Sequence, residues 1–175
     1  MKIFIIGMPG SGKSYLGKKL ALSLKLKFYD LDHLIEKKEN QTIKQIISIN
    51  GEDHFRHLET SILKGLEKEN NIVISCGGGA PMFFDNLEFM KKHGIVIWLN
   101  TNLNTISSRI QKNLTRRPMF EGLNSLEIDS KLSELFIQRE KKYKKADFEI
   151  NILGKEKQSL SSVIQIVMNY SKHKH

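Results

Sequence analysis

Gly7, Gly12, Lys13 and Ser14 stand at the spacing G-x-x-x-x-G-K-[ST] within GMPGSGKS, residues 7–14, directly after the apolar run IFII. Glycines at these positions let the backbone curl until successive N–H groups converge on one phosphate, and a helix starting there adds its positive end. The lysine of such a loop reaches β- and γ-phosphates, and the hydroxyl of the following Ser ligates Mg²⁺. The stretch is therefore expected to hold a nucleoside triphosphate through Gly10, Ser11, Gly12, Lys13, Ser14 and Tyr15.

Three further groups could serve an acceptor. Asp30 and Asp32, in YDLD, place two carboxylates after an apolar strand pattern. One can meet Mg²⁺ through water and the other a hydroxyl. Aspartate also commonly caps a helix, and one starting near His33 would use it so. Gly77-Gly78-Gly79 follow the apolar run IVIS and Cys76, where absent side chains let a ligand pack on the main chain. Arg56 adjoins the apolar face Phe55, Leu58, Ile62 of a helix opening at GEDHFRHLE, residues 51–59, although a helical arginine is more often solvated. Cys76 reads as a small core residue, and none of the six histidines has a spacing that suggests metal or acid–base work.

The elements that must position these groups follow from periodicity. IFII (3–6), IVIS (72–75) and IVIWL (95–99) are short β-branched runs bounded by Gly, Asn or Asp, with weaker strands near Lys27–Tyr29 and Phe148–Ile152. Between them lie helical spacings such as Leu16, Leu20, Leu24. This alternation predicts an α/β fold: a five-stranded parallel sheet with helices on both faces. A chain of 175 residues is expected to form a single domain. Residues 113–125, NLTRRPMFEGLNS, are aperiodic and read as a lid, placed at about 112–125; the acceptor-binding helical segment is placed at about 32–60. The excess of 28 Lys+Arg over 19 Asp+Glu, +9, calls for an anionic substrate or nucleic acid. The lysine pairs 37–38, 91–92, 141–142 and 144–145 are read as solvated faces of separate helices. Basic residues are not interleaved with aromatics, which argues against a nucleic-acid binder, and no apolar run approaches the roughly 20 residues of a membrane span. One cysteine and no signal-peptide pattern point to the cytoplasm.

GMPGSGKS, YDLDHLIE, GEDHFRHLE, GGGAP, RRP in the expected lid and R-x-x-x-Y at Arg139 to Tyr143, in that order over residues 3–150, resemble the shikimate kinase family. The resemblance implies a P-loop fold of nucleoside monophosphate kinase type with a mobile lid, acting as a cytoplasmic monomer. It implies transfer of the γ-phosphate of ATP to the 3-hydroxyl of shikimate, with Mg²⁺. Lys13, Asp32 and Arg117 would then be catalytic. Ser14 and Asp30 would lie at the metal, and Asp32 on the shikimate hydroxyls. Arg56 and Arg139 would clamp the shikimate carboxylate while Gly77, Gly78 and Gly79 line its ring. Arg109 resembles the residue that packs on adenine, with one extra residue between it and the lid, and Arg117 the lid arginine that meets the phosphates. Other P-loop kinases, for gluconate or a nucleoside monophosphate, are the nearest alternatives.

Overall fold

Residues buried on both faces of a sheet read as unbroken apolar runs, and all five expected strands form. In the computed structural model, which describes residues 1–114, 118–152 and 156–173, they are β1 (Lys2–Ile6), β2 (Lys27–Asp30), β3 (Ile72–Ser75), β4 (Ile95–Thr101) and β5 (Phe148–Ile152). They lie in the order β2-β3-β1-β4-β5, each neighbouring pair parallel. Among the described residues seven α-helices connect and follow them: α1 (Lys13–Leu24), α2 (Leu31–Glu39), α3 (Ile43–Gly65), α4 (Asn86–His93), α5 (Leu103–Gln111), α6 (Ser125–Tyr143) and α7 (Glu156–His173).

Alternate residues of a strand point to opposite faces, so β1 seeds two cores. Ile3 and Ile5 join Leu16, Leu20, Val73, Ile97 and Val163 on the face covered by α1 and α7. Phe4 and Ile6 join Leu31, Ile35, Ile74, Trp98, Leu132 and Tyr143 on the other. The chain leaves β1, crosses to the edge strand β2, returns through β3, and only then builds the opposite side with β4. The carboxyl ends of β1, β2 and β3 therefore open toward one crevice, the place where ligands collect in sheets of this kind.

Two expected helix boundaries shift. α2 begins at Leu31 instead of near His33, with Asp30 as its N-cap. α3 does not open at Gly51 but starts at Ile43, where Thr42 and Gln45 form a capping box. Gly51 breaks it internally with φ 85° and ψ 166°, which redirects the second segment so that Phe55, Arg56, Glu59 and Leu63 face inward. The lysine pairs also need one correction: Lys144 caps the same helix, α6, that carries Lys141 and Lys142. Of the aperiodic stretch 113–125, Pro118–Phe120 form a 3₁₀ turn with Phe120 buried, and Asn124 caps α6 with Glu127. Thr115, Arg116 and Arg117 lie outside the described residues.

Gly94 joins α4 to β4 with ordinary extended backbone, yet a β-carbon there would lie 2.5 Å from the Lys2 carbonyl oxygen and 2.9 Å from the Phe4 ring. Gly94→Ala is expected to destabilise the fold by about 1–3 kcal/mol through this clash, seen as a lower urea midpoint. An unchanged midpoint would contradict the packing described.

Candidate active site

The phosphate loop connects β1 to α1. Gly12 is the N-cap of α1 in the left-handed region, φ 100°, so the first N–H groups of the helix face the loop. Lys13 is buried, and its Nζ donates to the carbonyls of Gly7 (2.9 Å) and Met8 (2.8 Å), which holds the ammonium inside the loop. Thr101, at the end of β4, donates from Oγ1 to the Ser11 carbonyl at 3.0 Å. Arg109, from the last turn of α5, donates from Nη1 to the carbonyls of Gly10 (3.3 Å) and Ser11 (3.2 Å). Its guanidinium therefore sits on the loop. Tyr15 is 47% exposed on the outer side of α1, with Lys19 Nζ 4.4 Å from its ring centroid.

Three oxygens meet where β2, β3 and α1 converge. Ser14 Oγ donates to Asp30 Oδ2 at 2.5 Å and lies 3.2 Å from Ser75 Oγ. Asp30 and Ser75 are register partners across β2 and β3, which places both beside the loop. Asp30 also accepts from the His33 N–H at 3.4 Å. It thus caps α2 with one oxygen, as one reading of the sequence expected, while its other oxygen faces Ser14. Asp32, in the first turn of α2, turns toward the glycines.

The residues expected to serve the acceptor gather at the triple glycine. A β-carbon on Gly77 would stand 2.6 Å from Glu59 Oε1 and 2.9 Å from Asp32 Oδ1. On Gly78 it would meet Arg139 Nη1 at 3.2 Å, and on Gly79 both terminal nitrogens of Arg56 at 2.8 Å. Each glycine thus gives its missing side-chain volume to a charged group from α2, α3 or α6. Arg56, Glu59 and Arg139 are all buried. Arg56 donates from Nη1 to Glu59 Oε2 (2.9 Å) and from Nη2 and Nε to Glu52 Oε1 (2.8 and 3.2 Å). Its Cζ lies over the rings of Phe55 and Phe83. The Tyr143 hydroxyl donates to the Gly78 carbonyl at 2.6 Å and fixes the glycine strip from behind. Burial pushes its pKa up to about 12, so it stays a donor at ordinary pH.

Burial pushes Glu59 up to about 7 from its ordinary 4.5, against the Arg56 guanidinium, which draws it down; the Asp32 carboxylate adds to the rise and Arg139 opposes it. Two buried polar atoms in this cluster, Glu59 Oε1 and Arg139 Nη1, have no hydrogen-bond partner among the described residues. Such atoms cost stability unless something polar meets them. The structure thus brings together Asp32, Arg56, Gly77, Gly78, Gly79 and Arg139 at one place, and Ser14, Asp30 and Lys13 beside it. The sequence placed Glu52, Glu59 and Tyr143 within recognised motifs but gave no role to them, to Phe83 or to Ser75. Glu52 and Glu59 carried a signal, since they stand four before and three after Arg56 on one helix face.

The sequence model of the shikimate kinase family matches residues 9–169. Shikimate kinase from Sulfurihydrogenibium sp. (strain YO3AOP1) is 36% identical over 172 residues, 98% of either chain. The crystal structure of shikimate kinase from Bacteroides thetaiotaomicron superposes with a TM-score of 0.92 at 31% identity, covering 96% of this chain and 98% of that one. That of Acinetobacter baumannii shikimate kinase in complex with shikimate gives 0.88 at 32% identity, covering 97% and 93%.

Glu59 supplies a pH test. Because its folded pKa lies above 4.5, the folded state holds the proton more tightly than the unfolded chain between about pH 4.5 and 7. Stability contributed by the protonated group is therefore lost as pH rises through that window. Glu59→Gln, which keeps an acceptor for Arg56 but does not titrate, should gain stability relative to wild type between pH 4.5 and 8, by on the order of 1 kcal/mol or more. Paired urea titrations measure it; a difference independent of pH would contradict the buried-acid description.

Proposed function

The chain belongs to the shikimate kinase family, and we propose that its site moves the γ-phosphate of ATP to the 3-hydroxyl of shikimate, giving shikimate 3-phosphate and ADP for aromatic amino acid (chorismate) biosynthesis. The observation that carries this reading is the placement of a buried guanidinium, Arg56, and the Asp32 carboxylate against one strip of side-chain-free backbone at the mouth of a phosphate loop. A planar guanidinium matches a carboxylate with two parallel donors, and shikimate offers one carboxylate and three hydroxyls. Arg139, with an unpartnered buried nitrogen, is the second donor we assign to that carboxylate.

Phosphoryl transfer asks chiefly for alignment and charge stabilisation. Lys13 exchanges its loop carbonyls for β- and γ-phosphate oxygens. The oxygen cluster of Ser14, Asp30 and Ser75 suits a hard cation that keeps several waters, and Ser14 and Asp30 are the residues we assign to Mg²⁺. When bound, Mg²⁺ supplies charge neutralisation on the phosphates. Asp32 orients the acceptor hydroxyl and takes its proton late. Arg109, already on the loop, is assigned to the nucleotide with Gly10, Ser11, Gly12 and Tyr15. Arg117 is assigned to the phosphates in a closed lid that excludes water. We further read the protein as a cytoplasmic monomer with small-molecule substrates and no nucleic-acid or membrane partner. No described helix is long and apolar enough to cross a membrane.

An ADP-release assay offering shikimate, quinate, gluconate and nucleoside monophosphates side by side tests the acceptor. Shikimate-dependent turnover is expected to exceed the others by orders of magnitude; turnover confined to gluconate or a nucleoside monophosphate would overturn the assignment. Asp32→Asn should lower kcat by about 100-fold or more with ATP KM nearly unchanged, as loss of a group acting on the acceptor proton requires. A comparable loss in ATP affinity would put Asp32 at the metal instead.

A further inference from the structure

Arg56 is held by more than its ion pairs. Its Cζ lies 4.3 Å from the centroid of the Phe83 ring and 4.7 Å from that of Phe55, its neighbour on α3. Guanidinium groups stack on aromatic faces because the ring quadrupole attracts the cation while the in-plane N–H donors stay free to bond. Phe55 is part of the hydrophobic core and is carried by the same helix as Arg56. Phe83 is different: it arrives from another part of the chain, at the end of the 3₁₀ turn Ala80–Met82 that follows the glycines.

The segment bearing Phe83 is fastened on both sides. Asn86, fully buried, donates from Nδ2 to the Ala80 carbonyl at 2.9 Å and closes the turn. Asp85 pairs with Lys64 of α3 at 2.6 Å. Just before them, Phe84 adopts φ 48°, a left-handed conformation that disfavours a bulky side chain, and sets its half-exposed ring 4.7 Å from that of His57. Consecutive aromatics, Phe83 and Phe84, thus meet consecutive residues of α3, Arg56 and His57. The strained backbone at Phe84 is what allows both rings to face the same helix.

We propose that Phe83 is a positioning residue for acceptor recognition: its ring holds the Arg56 guanidinium in the orientation from which its edge donors engage a substrate carboxylate. Phe83 touches no substrate in this account and acts only through Arg56. The proposal rests on the reading of Arg56 as the carboxylate-binding group.

The experiment compares shikimate KM, ATP KM and kcat for wild type, Phe83→Leu, Phe83→Tyr, Arg56→Ala and the Phe83→Leu/Arg56→Ala pair, with thermal unfolding of each. Phe83→Leu should raise shikimate KM about 5- to 20-fold, the range of one partly buried cation–ring contact, with kcat and ATP KM within about twofold. Phe83→Tyr keeps the ring and should stay within about threefold of wild type. In the Arg56→Ala background the leucine change should add less than about twofold, because the group it acts through is gone. Phe83→Met, similar in volume but without the ring, gives the same comparison where the leucine variant loses its cooperative transition. A large Arg56→Ala loss with Phe83→Leu at wild-type KM would overturn the role of Phe83 alone. Multiplicative losses in the paired variant would also overturn it, since the ring would then act elsewhere. Wild-type shikimate KM in Arg56→Ala would overturn the carboxylate reading and the Phe83 proposal together.

Discussion

A β-carbon at residue 77, 78 or 79 would occupy the space that charged side-chain ends from three helices now fill. The β-carbons missing there leave room for Glu59 and Asp32, for Arg139, and for both terminal nitrogens of Arg56, each within about a van der Waals radius sum of where such an atom would sit. The backbone of this strip is in turn set by β3, whose four residues are all buried, and is held by the Tyr143 hydroxyl on the Gly78 carbonyl. The sheet fixes the strip, and the strip leaves the space in which charged side chains of α2, α3 and α6 converge. The redirection of α3 at Gly51 belongs to the same chain of causes, because it turns Arg56 and Glu59 inward.

Packing charges this closely has an electrostatic consequence. Ion pairs taken out of water stabilise little, and a buried partner left alone is costly. Glu59, Arg56, Arg139 and Asp32 manage this by mutual neutralisation, and the residue of the imbalance appears as a Glu59 carboxyl pushed up to about 7 by burial. Glu59 Oε1 and Arg139 Nη1 remain without hydrogen-bond partners among the described residues. A polyhydroxylated carboxylate is the kind of ligand that meets both a lone acceptor and a lone donor. The half-exposed Glu52 accepts two hydrogen bonds from Arg56 on the solvent side. An incoming carboxylate would compete with it for the same donors, so the arginine is oriented before substrate arrives.

Much of this was legible in the sequence because the relevant signals are local. Each short apolar run rich in β-branched residues became a strand, and IVIS and Phe148–Ile152 matched to the residue. The phosphate loop was legible because its spacing encodes a backbone shape. Asp30 and Asp32 were harder, since an aspartate before a helix can cap it or face a site, and Asp30 caps α2 while its other oxygen meets Ser14. Arg56 looked solvated in isolation; its burial depends on Gly79 and Phe83, some 25 residues away, which periodicity does not report. Glu59 was missed for the same reason, although its offset of three from Arg56 places both on one helix face. Its fully buried position comes from the contact with Gly77. The start of α3 at Ile43 was hidden by the glycine that interrupts it.

The central claim is that the Arg56 guanidinium reads a carboxylate, and the most direct measurement removes the charge from the ligand and from the protein separately. Calorimetric titrations of shikimate and of its methyl ester into wild type and Arg56→Ala form a closed cycle. The account predicts that esterification weakens binding to wild type by about 30-fold or more, the loss expected for a partly desolvated, hydrogen-bonded charge pair. In Arg56→Ala the acid and the ester should then bind within a fewfold of each other, the remaining difference belonging to Arg139. An esterification penalty as large in the alanine variant as in wild type would contradict the claim, because the carboxylate would then be recognised without Arg56.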